Sequence, residues 1–208
     1  MNTKETMIER HLKGRDIDDP RVVAAMQAVD RTVFVPEQLH SYTYEDHALP
    51  IGKSQTISQP YIVAYMAQAL DIKPNDKVLE IGTGCGYNAA VLAQLANKVY
   101  SIEIIGWLAE LAKNNLQKID SRNIESRHGD GYEGWPEHAP FDAIELTAAP
   151  AVIPDSLKQQ LKIGGRLLAP VGKLTQELVL LERVSEHEFK ETKLLPVRFV
   201  PMTGKVDN

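Results

Sequence analysis

From residue 77 onward the chain alternates between short apolar runs and segments in which apolar residues have helical spacing. Short apolar runs indicate buried strands, whereas apolar residues three and four positions apart indicate helices. The pattern predicts strands at 77–82, 98–103, 123–128, 141–147 and 166–171 and helices at 88–96, 107–118 and 154–161. Strands that alternate with helices are typical of a parallel sheet covered by helices.

Two longer apolar segments near the C-terminus, 176–184 and 188–200, have no helical segment between them. Strands that follow each other without a crossover helix pair antiparallel. Together the segments predict an α/β, Rossmann-like fold with a seven-stranded, mostly parallel sheet that ends in a C-terminal antiparallel hairpin.

Residues 1–72 precede this alternation and are predicted to form a helical extension. Apolar spacing predicts a helix at 4–13, Asp19 and Pro20 have the residue types of a helix start, and another helix follows Gln59 and Pro60. Residues 37–60 show little periodicity, and a loop of that length in a compact domain is usually functional. We expect a single domain over 1–208, with helices and a loop at 1–72, an α/β core at 73–172 and β segments at 173–208.

Composition excludes several classes of function. The net charge is −5 and the basic residues are scattered, which argues against nucleic-acid binding. The chain has no apolar run of membrane-spanning length, its N-terminus is too polar for a signal peptide, and its single cysteine fits a reducing compartment. The histidines are scattered, so we expect no metal site, and we expect a cytoplasmic monomer.

The most informative segment is the glycine turn at the end of the first predicted strand, Gly82-x-Gly84-x-Gly86. Glycine allows positive φ and close approach of a ligand to the backbone. A dinucleotide fingerprint has a different spacing, G-x-G-x-x-G, and Glu80 just before the turn would repel a pyrophosphate. The same carboxylate could complement an ammonium group, which favours S-adenosyl-L-methionine. The alternative is an ordinary strand–turn–helix with no ligand.

Two further acids follow later strands. Glu103 ends the second strand, where a carboxylate can accept hydrogen bonds from both hydroxyls of a ribose. Asp130, between Gly129 and Gly131, could accept the amino group of adenine. Alternatively, Glu103 is a solvated acid at a strand end and Asp130 belongs to a simple turn.

Several separate segments resemble the protein-L-isoaspartate O-methyltransferase family, in its bacterial form, over residues 14–204. The segments are R-x-x-F-V-P at 31–36, Y-x-D-x-x-L-P-I-G at 44–52, Q-T-I-S-Q-P at 55–60, the glycine motif at 79–86, G-D-G at 129–131 and R-F-V-P at 198–201. The glycine motif alone indicates only a methyltransferase, whereas Q-T-I-S-Q-P is far more specific.

The resemblance implies the class I S-adenosylmethionine methyltransferase fold and methyl transfer to the α-carboxyl of L-isoaspartyl residues, which starts the repair of damaged proteins. It implies that Ser58 is catalytic and that Thr56, Gln59 and Arg198 bind the substrate. The implied cofactor-binding residues are Glu80, Gly82, Thr83, Gly84, Gly86, Glu103, Asp130, Gly131 and Thr147. Without the resemblance, Ser58 would be interpreted as the N-cap of the helix that follows it.

The chain departs from the family pattern at a few positions. Lys53 and Ser54 stand where a glycine-containing pair is expected, Cys85 replaces a serine, Glu145 replaces an aliphatic residue, and Gly106-Trp107 replaces a polar helix start. Three alternatives therefore stay open. These are a methyltransferase for another acceptor, a catalytically quiet protein that binds the cofactor or peptides, and a nicotinamide-dependent oxidoreductase.

Overall fold

A seven-stranded sheet with strand order β5-β4-β3-β6-β7-β8-β9 forms the centre of the structure, a computed structural model that describes residues 3–205. Its strands are β3 Lys77–Ile81, β4 Lys98–Glu103, β5 Ile124–His128, β6 Phe141–Leu146, β7 Leu161–Val171, β8 Gln176–Arg183 and β9 Phe189–Val197. The first five pair in parallel, whereas β7–β8 and β8–β9 pair antiparallel. The predicted parallel sheet with a C-terminal antiparallel hairpin is confirmed.

Helices pack against the sheet and form the N-terminal extension. They are α1 Lys4–Thr6, continued by a π-helical stretch at Met7–Lys13, α2 Pro20–Ala28, α3 Pro60–Leu70, α4 Tyr87–Ala93, α5 Gly106–Leu116 and α6 Asp155–Gln160. Asp19 caps α2 as predicted, because its side chain accepts a hydrogen bond from the backbone N–H of Arg21. Within residues 3–205, no helix has the length and hydropathy needed to cross a membrane.

Successive residues of the central strands belong to two different hydrophobic clusters, as expected for side chains that alternate between the faces of a sheet. Val78 and Val99 pack with the N-terminal helices and α4, whereas Leu79 and Tyr100 pack with Trp135 and the α6 region. Both faces are thus covered, which leaves the carboxyl edge of the parallel strands for a ligand.

The region predicted as a long loop, 37–60, contains regular structure. Glu37–Tyr42 forms a 3-10 helix, and β1 Leu49–Gly52 pairs with β2 Gln55–Ile57 in a small hairpin (residues 49–57). Lys53 and Ser54 form its two-residue turn with φ values of 54° and 57°. Such turns favour glycine or asparagine, so this turn lacked its usual sequence signal.

Several predicted boundaries were wrong, including the end of α4 at Ala93 rather than at residue 96. The sixth helix ends at Gln160, and β7 begins at Leu161 rather than at residue 166. A register shift between Phe141 and Ala143 accommodates Gly164 and Gly165 within β7. The last strand ends at Val197 rather than at residue 200, because the side chain of Gln176 binds both backbone groups of Phe199.

The R-x-x-F-V-P segment joins the N-terminal extension to α4. Arg31 is completely buried, its Nε donates to the carbonyl of Thr43 at 2.9 Å, and its guanidinium carbon lies 4.8 Å from the ring centroid of Tyr87. Phe34 meets the same ring edge-on at 5.6 Å. Tyr87 is the first residue of α4, so this segment fixes the helix that follows the glycine turn.

Candidate functional site

The glycine turn connects β3 to α4 at the carboxyl edge of the sheet. Gly82, Gly84 and Gly86 have φ values of 100°, 57° and 94°. A Cβ on Gly82 would lie 2.3 Å from Oγ1 of Thr147, whose hydroxyl donates to the carbonyl of Gly82 at 2.6 Å. Both the backbone conformation and this close approach therefore require glycine at position 82.

A cleft of about 610 Å³, here called the turn cleft, opens beside this turn. Five of the predicted cofactor-binding residues line it, namely Gly82, Gly84, Glu103, Gly131 and Thr147. The other walls come from the start of α5, from Gln55 and Thr56 of the small hairpin, and from residues 200–203. Predicted residues from four separate segments of the chain thus meet in one cavity.

Glu103 lines the turn cleft, and backbone N–H groups of the glycine turn and of the loop after β4 hold its carboxylate in place. Its Oε2 accepts from the N–H of Gly84 at 2.8 Å, and its Oε1 accepts from the N–H of Ile105 at 2.9 Å. A carboxylate oxygen can accept more than one hydrogen bond, so these contacts orient Glu103 while capacity for a hydroxyl donor remains.

Asp130 is not among the residues that line the turn cleft, although its neighbour Gly131 is. Its Oδ1 accepts from the N–H of Tyr132 and caps a 3-10 helix, Gly131–Glu133, while its Oδ2 accepts from the N–H of Lys205 at 2.9 Å. The C-terminal segment therefore passes directly over the acid that was predicted to bind adenine.

Glu80 is completely buried beneath the turn rather than at the surface of the cleft. Its carboxylate accepts from the hydroxyl of Ser101 and from Nδ2 of Asn88 at 2.9 Å. The hydroxyls of Ser101 and Thr83 are 2.6 Å apart, so a chain of hydrogen bonds connects Glu80 to the glycine turn.

Glu145 stands next to Glu80 in the sheet, in register on β6, and is also completely buried. The same Nδ2 of Asn88 donates to its Oε1 at 3.1 Å, and its Oε2 makes no hydrogen bond within residues 3–205. Burial and the neighbouring Glu80 raise the pKa of Glu145 to about 8, and burial raises the pKa of Glu80 to about 7. The fold therefore tolerates an acidic residue at this buried position because the carboxyl group of Glu145 is protonated and uncharged.

A second cleft of about 1080 Å³, here called the Ser58 groove, lies on the other side of Thr56 and Thr147. Ser58, Gln59 and Arg198 line it, together with Asp46, His47 and residues 196–200. All four residues predicted for catalysis and substrate binding therefore border one groove. Hydrogen bonds of His47 to the carbonyl of Ala48 and to Glu45 raise the pKa of its imidazole.

The interpretation of Ser58 as an N-cap is wrong. The N-cap of α3 is Gln59, and Asp46 supplies the capping carboxylate, which accepts from the N–H of Tyr61 at 3.2 Å and from Nε2 of Gln59 at 2.8 Å. In the part of the chain that the structure describes, the Ser58 side chain makes no hydrogen bond. Its hydroxyl is therefore available to a ligand.

Arg198 is held by its neighbours and not by an ion pair. Gln176 fixes Phe199, and the carbonyl of Val200 accepts from the N–H of Ala149 at 2.8 Å. Among residues 3–205 the Arg198 guanidinium has neither a hydrogen bond nor a carboxylate partner. An exposed, unpaired guanidinium in a groove is suited to an anionic ligand.

The two clefts meet at a short boundary. Thr56, Thr147 and Val200 line both of them. A smaller cavity of about 340 Å³ also joins Ser58 to Gly82 and Gly84, with Thr83 and Asn88 in its wall. Groups bound in the two clefts would therefore approach each other at Thr56, Thr147 and Val200, and Ser58 reaches the glycine turn through the smaller cavity.

Sequence reasoning missed or underestimated some residues of this site. Asp46 determines where α3 begins, through its hydrogen bonds to Gln59 and Tyr61. No sequence pattern indicated a role for Gln176, which binds the distant backbone of Phe199. The same holds for Asn88, whose amide donates to both Glu80 and Glu145. The motif Y-x-D was the one available signal for Asp46.

Comparison with known proteins identifies the family. A family model described as protein-L-isoaspartate(D-aspartate) O-methyltransferase matches residues 2–207. A protein from Pelobacter propionicus, named protein-L-isoaspartate O-methyltransferase 2, is 49% identical over 97% of this chain and 90% of its own length.

Solved structures agree. One named protein-L-isoaspartate O-methyltransferase superposes with a TM-score of 0.89 at 31% identity over 97% of this chain and 66% of that chain. A Plasmodium falciparum protein described by the same activity, solved with S-adenosyl-L-homocysteine, gives a TM-score of 0.83 at 26% identity over 98% of this chain and 99% of that chain. The chain therefore belongs to the protein-L-isoaspartate O-methyltransferase family.

Proposed function

We propose that this protein transfers a methyl group from S-adenosyl-L-methionine to the α-carboxyl of L-isoaspartyl residues in damaged proteins and peptides. The observation that carries the proposal is the Ser58 hydroxyl, which is unbonded within residues 3–205 and lines both the Ser58 groove and the smaller cavity that reaches Gly82 and Gly84 of the glycine turn. Family membership supports the same activity and argues against a nicotinamide-dependent reaction.

The residues around the turn cleft fit S-adenosyl-L-methionine. Gly82 and Gly84 of the glycine turn expose backbone to the cleft, and Glu103 can accept from ribose hydroxyls. Gly131 and Thr147 complete the walls. Glu80 acts from below, through Ser101 and Thr83, as a support of the turn and not by direct contact. In this proposal residues 73–172 supply most of the cofactor site, while residues 1–72 and 173–208 form the acceptor side and add Gln55, Thr56 and residues 200–203 to the wall of the turn cleft.

The proposed methyl transfer requires few catalytic groups from the protein. The cofactor supplies an electrophilic methyl group on a sulfonium. A carboxylate acceptor is already ionised at neutral pH, so no general base is needed, and catalysis consists mainly of positioning and exclusion of water. The Ser58 hydroxyl donates a hydrogen bond to one acceptor oxygen and so directs the other toward the cofactor side of the boundary.

Arg198, Thr56 and Gln59 hold the rest of the acceptor. Arg198 attracts the carboxylate into the groove by its charge, and Thr56 provides a hydroxyl at the boundary. Asp46 fixes both the amide of Gln59 and the start of α3, so Ser58 stands on a rigid support.

We also infer that the acceptor is a protein or peptide, that nucleic acid is not a partner, and that the enzyme acts as a cytoplasmic monomer. The acidic net charge supports the second point. The only cysteine, Cys85, is buried, which supports a reducing compartment.

The direct test is methyl transfer from radiolabelled S-adenosyl-L-methionine to two synthetic peptides that differ only in isoaspartate or aspartate at one position. We expect labelling of the isoaspartyl peptide alone, and a loss of at least about a hundredfold in Ser58→Ala. Ser126→Ala, at an exposed position on β5, serves as the matched control and should retain activity.

Calorimetric binding of S-adenosyl-L-homocysteine separates the possible failures. Binding without labelling of either peptide would refute the acceptor assignment and favour another acceptor or a quiet relative. Labelling that survives Ser58→Ala would refute the assigned role of Ser58.

A further inference from the structure

Trp107 is a large apolar side chain that remains half-exposed, with 51% of its surface accessible, although it lies beside the turn cleft. It is the second residue of α5, whose first turn and preceding loop contribute Ile105 and Leu108 to the cleft wall. Its ring packs against the small hairpin at Gly52, because a Cβ built there would lie only 3.1 Å from Cζ3 of the ring.

The small hairpin (residues 49–57) forms one wall of the turn cleft. Its residue Ile51 packs on the glycine turn, as a Cβ on Gly84 would lie 3.5 Å from Cδ1 of Ile51. Gln55 and Thr56 of the hairpin line the cleft together with Glu103 of β4. The contact between Gly52 and Trp107 is therefore the point at which the small hairpin meets α5.

Two features of the hairpin tip bear on the role of Trp107. Lys53 and Ser54 have left-handed backbone conformations that L-residues adopt at a cost, so a contact that holds the tip adds to the anchoring by the buried side chains of Leu49, Ile51 and Ile57. The Lys53 ammonium lies 5.9 Å from the centroid of the Trp107 ring, at the outer range of a cation–π contact. The tip and the last residue of β1 thus both meet the same indole.

We propose that Trp107 is a positioning residue for the cofactor, because its ring holds the small hairpin closed over the turn cleft. The inference rests on the proposed function, since it assumes that S-adenosyl-L-methionine occupies this cleft. The ring does not need to touch the cofactor; it stabilises the hairpin conformation in which Gln55 and Thr56 face the ligand. Cofactor affinity then depends on a side chain outside the cleft.

The test compares Trp107→Ala, Trp107→Phe and Leu174→Ala, the last being a matched truncation of an exposed apolar side chain in the β7–β8 connection. Calorimetry measures the Kd of S-adenosyl-L-homocysteine, and initial rates give kcat and both KM values. We expect Trp107→Ala to raise the Kd of S-adenosyl-L-homocysteine and the KM for S-adenosyl-L-methionine about tenfold, with kcat within about twofold of wild type. Trp107→Phe should recover most of the affinity, and Leu174→Ala should match the wild type.

The outcomes separate the two proposals. A Trp107→Ala protein that binds as tightly as the wild type would overturn the role of Trp107, and so would a fall in kcat at unchanged KM for the cofactor. An equal loss of affinity in Leu174→Ala would overturn it as well, since the effect would then be general. A wild-type protein that does not bind S-adenosyl-L-homocysteine would instead overturn the proposed function, and the inference with it.

Discussion

The buried pair of Glu80 and Glu145 makes the stability of this protein depend on pH in a way that one substitution can test. The pKa of Glu145 is raised from 4.5 to about 8 by burial and by Glu80. The folded state therefore keeps a proton on Glu145 that the unfolded state releases. The contribution of Glu145 to the free energy of unfolding is fully present below pH 4.5, the pKa of this group in the unfolded state. It is lost progressively as the pH rises from 4.5 toward 8.

The size of the effect follows from linkage. Each unit of difference in pKa corresponds to roughly 1.4 kcal/mol, so complete titration of Glu145 lowers the free energy of unfolding by on the order of 5 kcal/mol. Glu80, with its pKa raised to about 7, adds a loss of the same sign in an overlapping range of pH. The only donor that Glu145 has among residues 3–205 is the Asn88 amide, which it shares with Glu80.

Glu145→Gln removes this titration while it keeps the shape of the side chain. A glutamine amide resembles the protonated acid, because it can donate where the carboxyl O–H would, and it stays neutral at every pH. We expect the variant to match the wild type near pH 5 and to exceed it in free energy of unfolding by about 2–4 kcal/mol near pH 8.5. The Glu80 contribution should remain in both proteins.

Chemical denaturation from pH 5 to pH 9, followed by circular dichroism, measures the difference. Glu186→Gln, at an exposed position in the β8–β9 turn, controls for the removal of one negative charge. Parallel pH profiles for wild type and Glu145→Gln would refute the reasoning, because they would mean that Glu145 has the same pKa in the folded and unfolded states.

Three further substitutions test other parts of the structure. Ser54→Gly relieves a left-handed turn residue and should raise the Tm by about 2–4 °C in a thermal melt, whereas Ser54→Ala should not. Gly82→Ala places a Cβ 2.3 Å from Oγ1 of Thr147 at a φ of 100°, so it should lower the free energy of unfolding by about 2–3 kcal/mol and abolish calorimetric binding of S-adenosyl-L-homocysteine; an unchanged affinity would contradict the geometry of the turn. Arg198→Ala should raise the KM for an isoaspartyl peptide about tenfold in initial-rate assays and leave the KM for S-adenosyl-L-methionine unchanged.

The sheet could be predicted from the sequence because buried parallel strands have a strong local signal. Runs such as Val78–Ile81 are apolar on both faces, apart from Glu80, and a glycine turn or a helix separates each from the next. The small hairpin (residues 49–57) could not be predicted in this way, since its strands have four and three residues and its turn has Lys53 and Ser54 in place of glycine.

The candidate site was predictable to the extent that its residues belong to contiguous motifs. Gly82, Glu103 and Thr147 lie in one cleft because the carboxyl ends of β3, β4 and β6 share an edge, which the strand order alone implies. The role of Asp46 depends instead on a contact with Tyr61 across fifteen residues, and no periodicity encodes such a contact. The assignment of Ser58 as an N-cap failed for the same reason, since a distant acid had taken that function.

The boundary formed by Thr56, Thr147 and Val200 has a kinetic consequence. Apart from these three residues, the turn cleft and the Ser58 groove are lined by different residues. In the proposed reaction, a substitution at one of the three shared residues is therefore expected to change the KM of both S-adenosyl-L-methionine and the isoaspartyl peptide. A substitution at a residue that lines only one of the clefts is expected to change only the corresponding KM.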